Sequence, residues 1–348
     1  MNRTQTESFL QEHAAAHLPR PAIRRERRRL PRARLTCHYV WAMRARLIAA
    51  FAAVYIVWGS TYLAIRFAVE TLPPLLMAGA RFAVAGAILL LWTRLRDPTS
   101  RPTRMDWRTG VVSGALLLLG GNGGVVWAEQ RVPSGIAALL VAVVPLWMVL
   151  LDWLRPGGRR PPLLVFAGLG LGLAGLALLV GPDEFRGHGD ISVSGAIVLM
   201  LASLSWAAGS LYTQRAARAS TGLHGAATQM ISGGLLLFAA AILAGEPSRL
   251  DLAHASSRSL LGFAYLVTFG SLLGFTAYVY LLAHTTAAKA ATYAYVNPVV
   301  AVVLGWSLAN EPVTTRTIVA AGVILASVAT ITVAREGVSA VGENRAAA

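Results

Sequence analysis

Between Leu47 and Ala334 the chain presents ten apolar stretches of about 20 residues each, and only Arg81 places a charge clearly inside one. At a helical rise of ~1.5 Å per residue such a stretch spans the ~30 Å hydrocarbon core of a bilayer. Backbone polar groups can be satisfied there only in a helix or a closed barrel. Continuous apolar runs without alternation exclude the barrel. The expected fold is therefore an all-α membrane protein, and its work is done in or across a membrane.

Charge supports this reading. Hydrophobic residues make up 55% of the chain and charged residues 14%, where a soluble domain carries about 25% charged. The net charge of +15 does not point to nucleic acid, because of where the cations lie. Eleven of the 31 Lys and Arg precede Leu47, and most of the others fall in alternate short loops, the footprint of membrane orientation. Cys37 is the single cysteine, so no intramolecular disulfide can form. Residues 1–46 form a basic tail with Arg24, Arg25, Arg27, Arg28 and Arg29. Residues 1–42 read as a disordered cytoplasmic extension. Met43-Arg44-Ala45-Arg46 before an apolar run is an alternative start. Ala50-Phe51-Ala52 falls too early in its run for a cleaved signal.

The expected spans are 47–65, 75–93, 110–129, 134–153, 162–180, 193–213, 225–243, 260–282, 290–308 and 314–334. With the N-terminus inside, interior loops hold Arg94, Arg96, Arg101, Arg104 and Arg108, then Arg155, Arg159 and Arg160, then Arg215 and Arg218, then Lys289. Exterior loops carry Glu70, Asp183, Glu184, Asp190, Glu246 and Asp251. The Lys/Arg bias sets the orientation and puts both termini in the cytoplasm. A weak repeat runs at an offset of 153. Gly121 and Trp127 return as Gly274 and Tyr280, Ala137-Ala138 as Ala290-Ala291, and Pro145 as Pro298. Trp58-Gly-Ser-Thr-Tyr62 has a looser echo in Trp206 to Tyr212. Two halves of five spans, 47–180 and 190–334, follow, with a C-terminal tail at 335–348. Because five is odd, the halves must be inverted, a 5+5 plan of secondary transporters.

Catalytic and nucleotide-binding motifs are absent: no G-x-S-x-G, no H-E-x-x-H, and no Lys-Ser/Thr after the glycines of Gly120-Gly121-Asn122-Gly123-Gly124. These glycines read as close-packing positions. No cofactor and no resident metal is expected, since His13 and His17 in the tail lack a third ligand. The chemistry-bearing residues are polar or aromatic at mid-depth: Trp58, Ser60, Thr61 and Tyr62; Asn122; Ser203, Ser205 and Trp206; Asn297. They read as a substrate site or as interhelical hydrogen bonds. Pro145 and Pro298 each deny a hydrogen bond to the carbonyl one turn back, at Val141 and Ala294, and so kink helices at the expected cavity. Arg81 lies ~9 Å inside the second span. It either anchors an anionic substrate group or is held by snorkelling or a pair with Glu129. Glu129 is also the one intramembrane candidate for proton coupling.

The runs Trp58-Gly-Ser-Thr-Tyr-Leu-Ala-Ile-Arg66, Pro73-Pro74-Leu-Leu-Met-Ala-Gly-Ala-Arg81-Phe82 and Asn122-Gly-Gly-Val-Val-Trp127-Ala-Glu129-Gln130-Arg-Val-Pro133-Ser134-Gly135 resemble the EamA family of the drug/metabolite transporter superfamily. Tyr295-Val-Asn297-Pro298 with Gly305-Trp306 and Glu311-Pro312 is similar to the closing signature of its second repeat. The resemblance implies ten helices in two inverted repeats, a bacterial-type inner membrane and export or exchange of small metabolites. One departure stands out: the 153 offset carries Arg81 onto Gly234, so the site is asymmetric. The functional expectation is a secondary exporter, not an enzyme, with substrate among Trp58, Ser60, Tyr62, Arg81, Asn122, Trp206 and Asn297. The alternative is a membrane sensor without net transport. Expected partners are a small-molecule substrate and the lipid bilayer, with a homodimer as the candidate assembly and no nucleic acid.

Overall fold

The computed structural model describes residues 32–155, 162–185, 192–216, 223–327 and 329–330. The chain divides into two units, Met1–Arg44 and Ala45–Ala348. The expected tail lies mostly outside the described residues, including His13 and His17, and from Arg32 onward the backbone is helical. Arg159, Arg160, Asp190, Arg218 and the tail at 335–348 also lie outside them.

No strand occurs among the described residues. The helices are α1 (Arg32–Ala68), α2 (Pro74–Arg96), α3 (Arg104–Ala128), α4 (Ser134–Leu154), α5 (Leu163–Phe185), α6 (Val193–Ala216), α7 (Leu223–Leu243), α8 (Ser257–His284), a short α9 (Ala287–Ala290), α10 (Tyr293–Ala309) and α11 (Thr315–Ser327). Seven of them are long and apolar enough to cross a membrane: α1 from Met43, then α2, α3, α4, α6, α7 and α8. Three further apolar stretches, Leu163–Leu179, Val296–Ala309 and Thr315–Ser327, are shorter. Asp183 and Glu184, expected in a loop, lie in the last turn of α5.

Local sequence sets the helix ends. Thr103 opens α3 with a reciprocal capping box, its hydroxyl accepting from the Asp106 amide while the Asp106 carboxylate accepts from the Thr103 amide. Ser256 caps α8 and Thr286 caps α9. Asn310 at φ 52° stops α10, and Gly245 at φ 69° follows α7. The helices are apolar nearly all round, as expected where lipid rather than water covers the outside. Ile56, Leu95, Leu201, Leu243, Leu261 and Trp306 all point outward.

Two helices depart from α geometry at matching places. Gly114–Gly123 within α3 and Leu266–Phe275 within α8 are π-helical, ten residues each. Their i→i+5 bonding widens the coil and turns side chains off the α-helical register. Helix α4 breaks at Ala142–Val143, just before Pro145, and Pro298 lies inside α10.

Candidate functional site

Trp58, Thr61, Tyr62 and Ile65 fall at i, i+3, i+4 and i+7, so α1 presents them on one face. That face borders a cavity of about 60 Å³ lined also by Arg81, Phe82, Asn122, Val125, Val141, Trp206, Gly270, Phe275, Tyr293 and Asn297. Every wall comes from a different part of the chain. Asn122 is on the π-helical part of α3, Gly270 and Phe275 on that of α8, Trp206 on α6, and Tyr293 and Asn297 on α10.

The π-helical part of α8 is the shelf on which the two most specific side chains rest. Arg81 donates from Nε to the Ser271 hydroxyl at 2.8 Å, and Trp58 donates from Nε1 to the Gly270 carbonyl at 3.1 Å. Gly270 also makes room: a Cβ there would lie 3.3 Å from Arg81 Nη2 and 3.0 Å from the Thr61 methyl. The guanidinium stands 4.5 Å from the Phe82 ring centroid, close enough for cation–π attraction. Arg81 is 3% exposed, and its Nη1 has no hydrogen-bond partner. Among the described residues no carboxylate lies within 4.0 Å of it, so the Arg81–Glu129 ion pair is not formed.

Other polar atoms around the cavity are also buried and unpartnered: Asn122 Oδ1, Asn297 Oδ1 and Trp206 Nε1. The site therefore offers a guanidinium, an indole N–H and two carboxamides, each able to bond a polar solute. One side is floored by aromatic rings. Trp58 meets Trp206 edge-on at 5.4 Å, Tyr278 at 4.9 Å and Tyr293 at 5.4 Å between centroids. Tyr278 is tied to the Ser210 hydroxyl at 2.7 Å.

The structure brings Trp58, Tyr62, Arg81, Asn122, Trp206 and Asn297 together and leaves Ser60 out. Ser60 is two residues from Trp58, about 200° around the helix. Its hydroxyl bonds the Val57 carbonyl and the Tyr265 hydroxyl in a separate lateral groove. Ser203 bonds Trp147, and Ser205 bonds the Leu116 carbonyl, as interhelical ties. Pro145 and Pro298 are not in the wall, but Val141, whose carbonyl Pro145 cannot bond, is, and so is Asn297 beside Pro298. Glu129 is fully buried beyond the cavity with both carboxylate oxygens unpartnered, while its backbone carbonyl accepts from Arg66 at 3.0 Å.

Sequence reasoning missed Ser271, Gly270, Phe275, Tyr278 and Tyr293. The repeat held a signal for their neighbourhood, since Gly274 is the counterpart of Gly121. A Cβ at Gly274 would sit 2.5 Å from Trp58 Nε1, and one at Gly121 would sit 2.8 Å from the Trp206 ring. Equivalent glycines thus seat the two large indoles.

Comparisons with known proteins agree with this architecture. The model of the EamA-like transporter family matches twice, over residues 45–181 and 193–333. The chain is 40% identical over 290 residues to "Uncharacterized inner membrane transporter YedA" of Escherichia coli (strain K12), covering 83% of this chain and 91% of that one. It is 27% identical over 271 residues to "Uncharacterized transporter YvbV" of Bacillus subtilis (strain 168), covering 78% and 86%. A solved structure titled "Crystal structure of protein" shares the fold at a TM-score of 0.60 and 20% identity, covering 84% of this chain and 98% of that one. With both of its halves matched, the chain is a membrane transporter of the EamA-like transporter family.

Proposed function

We propose that the protein is a secondary transporter of the bacterial-type inner membrane that exports small metabolites or amino-acid-like compounds by alternating access. The observation that carries this is Arg81: a buried guanidinium in a cavity, with Nη1 aimed at no protein acceptor. A charge at such depth requires a partner, and a substrate carboxylate or phosphate supplies one. Asn122, Asn297 and Trp206 would bond the polar remainder, and Trp58 and Tyr62 would pack against its apolar part. Pro145 and Pro298 would let α4 and α10 bend around it. Glu129 is the candidate for proton coupling.

Small size supports a closed conformation. A cavity of about 60 Å³ holds roughly four to six waters at 10–15 Å³ of accessible volume each, far below the ~300–1,000 Å³ of ligand pockets. Loading a metabolite then requires the halves to part.

In this reading ten helices cross the membrane as an inverted 5+5 repeat with both termini cytoplasmic. Three observations support it. The family model matches twice. The π-helical segments lie at near-equivalent positions of the two halves. Helices α2 and α7 meet through residues 79–86 and 227–238. The 153 offset carries one of these stretches nearly onto the other, as a pseudo-two-fold axis between them requires.

Uptake into everted vesicles against a panel of amino acids and organic anions tests the function. Accumulation above empty vesicles is expected for at least one anionic solute; growth signalling without accumulation would favour a sensor. Reporter fusions after Arg94 and Arg155 should report cytoplasm, and fusions after Glu70 and Asp251 periplasm. A periplasmic signal from the 94–108 loop would overturn the orientation. Deleting residues 1–42 should leave insertion and uptake intact, because Arg44 and Arg46 still anchor α1 inside. Lost uptake at normal membrane levels would give the tail a working role.

A further inference from the structure

We propose that Glu246 and Glu311 are the fastenings of a gate: two carboxylates from the second half that close one end of the cavity by capping two helices of the first half, and release them when that end opens. The inference rests on the alternating-access reading. Glu246, 3% exposed, accepts from the backbone amides of Leu75 and Leu76 at 3.3 and 2.8 Å. Glu311 accepts from the Ser134 amide and hydroxyl, both at 2.8 Å, and from the Gly135 amide at 3.1 Å. Each carboxylate thus sits on the positive end of a helix, α2 in one case and α4 in the other.

These two helices have no cap of their own. Where α3, α8 and α9 begin with Thr103, Ser256 and Thr286, the residues ahead of α2 and α4 are Pro73 and Pro133, which cap nothing. The first-turn amides that a local side chain would satisfy are instead satisfied from across the halves. Both links lie at the same end of the bundle. Short connections join α1 to α2 and α3 to α4 there, and the bond from Arg66 to the Glu129 carbonyl ties those two connections together.

Glu311 also has a prepared seat. A Cβ at Gly305 would collide with its carboxylate, so glycine there leaves the path from α10 to Ser134 clear. On another side of the cavity the rings of Trp58, Tyr278 and Tyr293 pack against one another, with Trp58 and Tyr293 in the wall. A carboxylate and a helix start are both well hydrated once apart, so water entering a widening cleft replaces the link instead of leaving bare charges. Such a fastening is reversible, as a gate requires.

The test reads accessibility, not transport. With Cys37 replaced by Ser and Ile65→Cys placed in the cavity wall, a membrane-impermeant maleimide is applied to right-side-out and to inside-out vesicles. Glu311→Ala and Glu246→Ala should each raise the labelling rate about ten-fold in one vesicle orientation, and together more, while the other orientation stays unchanged. Glu311→Gln keeps the length and one acceptor, so it should give a smaller rise and carries the test if the alanine variant does not fold. Unchanged labelling at normal protein levels would overturn the gate, and so would equal rises from both sides, which indicate general loosening. A rise in inside-out vesicles alone keeps the gate and reverses the orientation. Absence of any transport would count against the proposed function without altering these rates.

Discussion

Arg81→Gln should reduce transport by about thirty-fold or more at low substrate while leaving folded protein near its normal level. The two halves of that expectation come from one geometry. Arg81 spends only Nε on the protein, in its bond to Ser271, and no carboxylate within 4.0 Å is left unpaired when the charge goes. Gln can still donate toward Ser271, so the fold loses little. A substrate anion, by contrast, loses its counter-charge inside a closed cavity, where truncating one partner of a buried charged pair costs about 2–5 kcal/mol. Every ~1.4 kcal/mol is ten-fold. Arg81→Lys keeps the charge but not the planar fork, so it should lie between the two. Initial rates in everted vesicles, normalised to monodisperse protein, decide it. Full transport by Arg81→Gln would remove this residue from the site.

Much of the site could be read because helices obey a simple rotation rule. The polar and aromatic residues at mid-depth were visible as exceptions in apolar runs, and six of the seven candidates line one cavity. Ser60 shows how that reasoning fails. It lies between Trp58 and Tyr62 in the sequence, but adjacency along a helix separates side chains by ~100°, and the face that carries Trp58 and Tyr62 carries Thr61 instead. The partner of Arg81 could not be read for a different reason. Glu129 was nearest in the sequence topology, whereas the actual acceptor, Ser271, is on α8, in the other half of the chain. Contacts between halves depend on how the halves dock, which no local pattern encodes. The same holds for Glu246 and Glu311, whose role as caps exists only across the interface. The π-helical segments were invisible because hydropathy in a span that is apolar all round has little phase to reveal a widened coil.

Gly234→Val should be the most damaging single change in the packing of the two halves. In lipid, helices gain no hydrophobic advantage by associating, so close backbone contact carries much of the stability. A Cβ on Gly234 would lie 2.7 Å from the Ala83 amide nitrogen and 2.9 Å from the Gly79 carbonyl oxygen. Both are backbone atoms of α2 and cannot rotate away. Ordinary overpacking costs about 1–3 kcal/mol, and here the helix axes themselves must separate. Arg81 lies between Gly79 and Ala83, so a displaced α2 also pulls the guanidinium off Ser271. Gly322→Val is the control, because a Cβ there meets nothing within 4 Å. Yield of monodisperse protein and its thermal midpoint should fall sharply for Gly234→Val and hardly at all for Gly322→Val; equal behaviour would mean that α2 and α7 are not in this contact. The same crowding explains the asymmetry of the repeat. Gly234 occupies the position equivalent to Arg81, and the backbone of α2 fills the space that a second arginine would need.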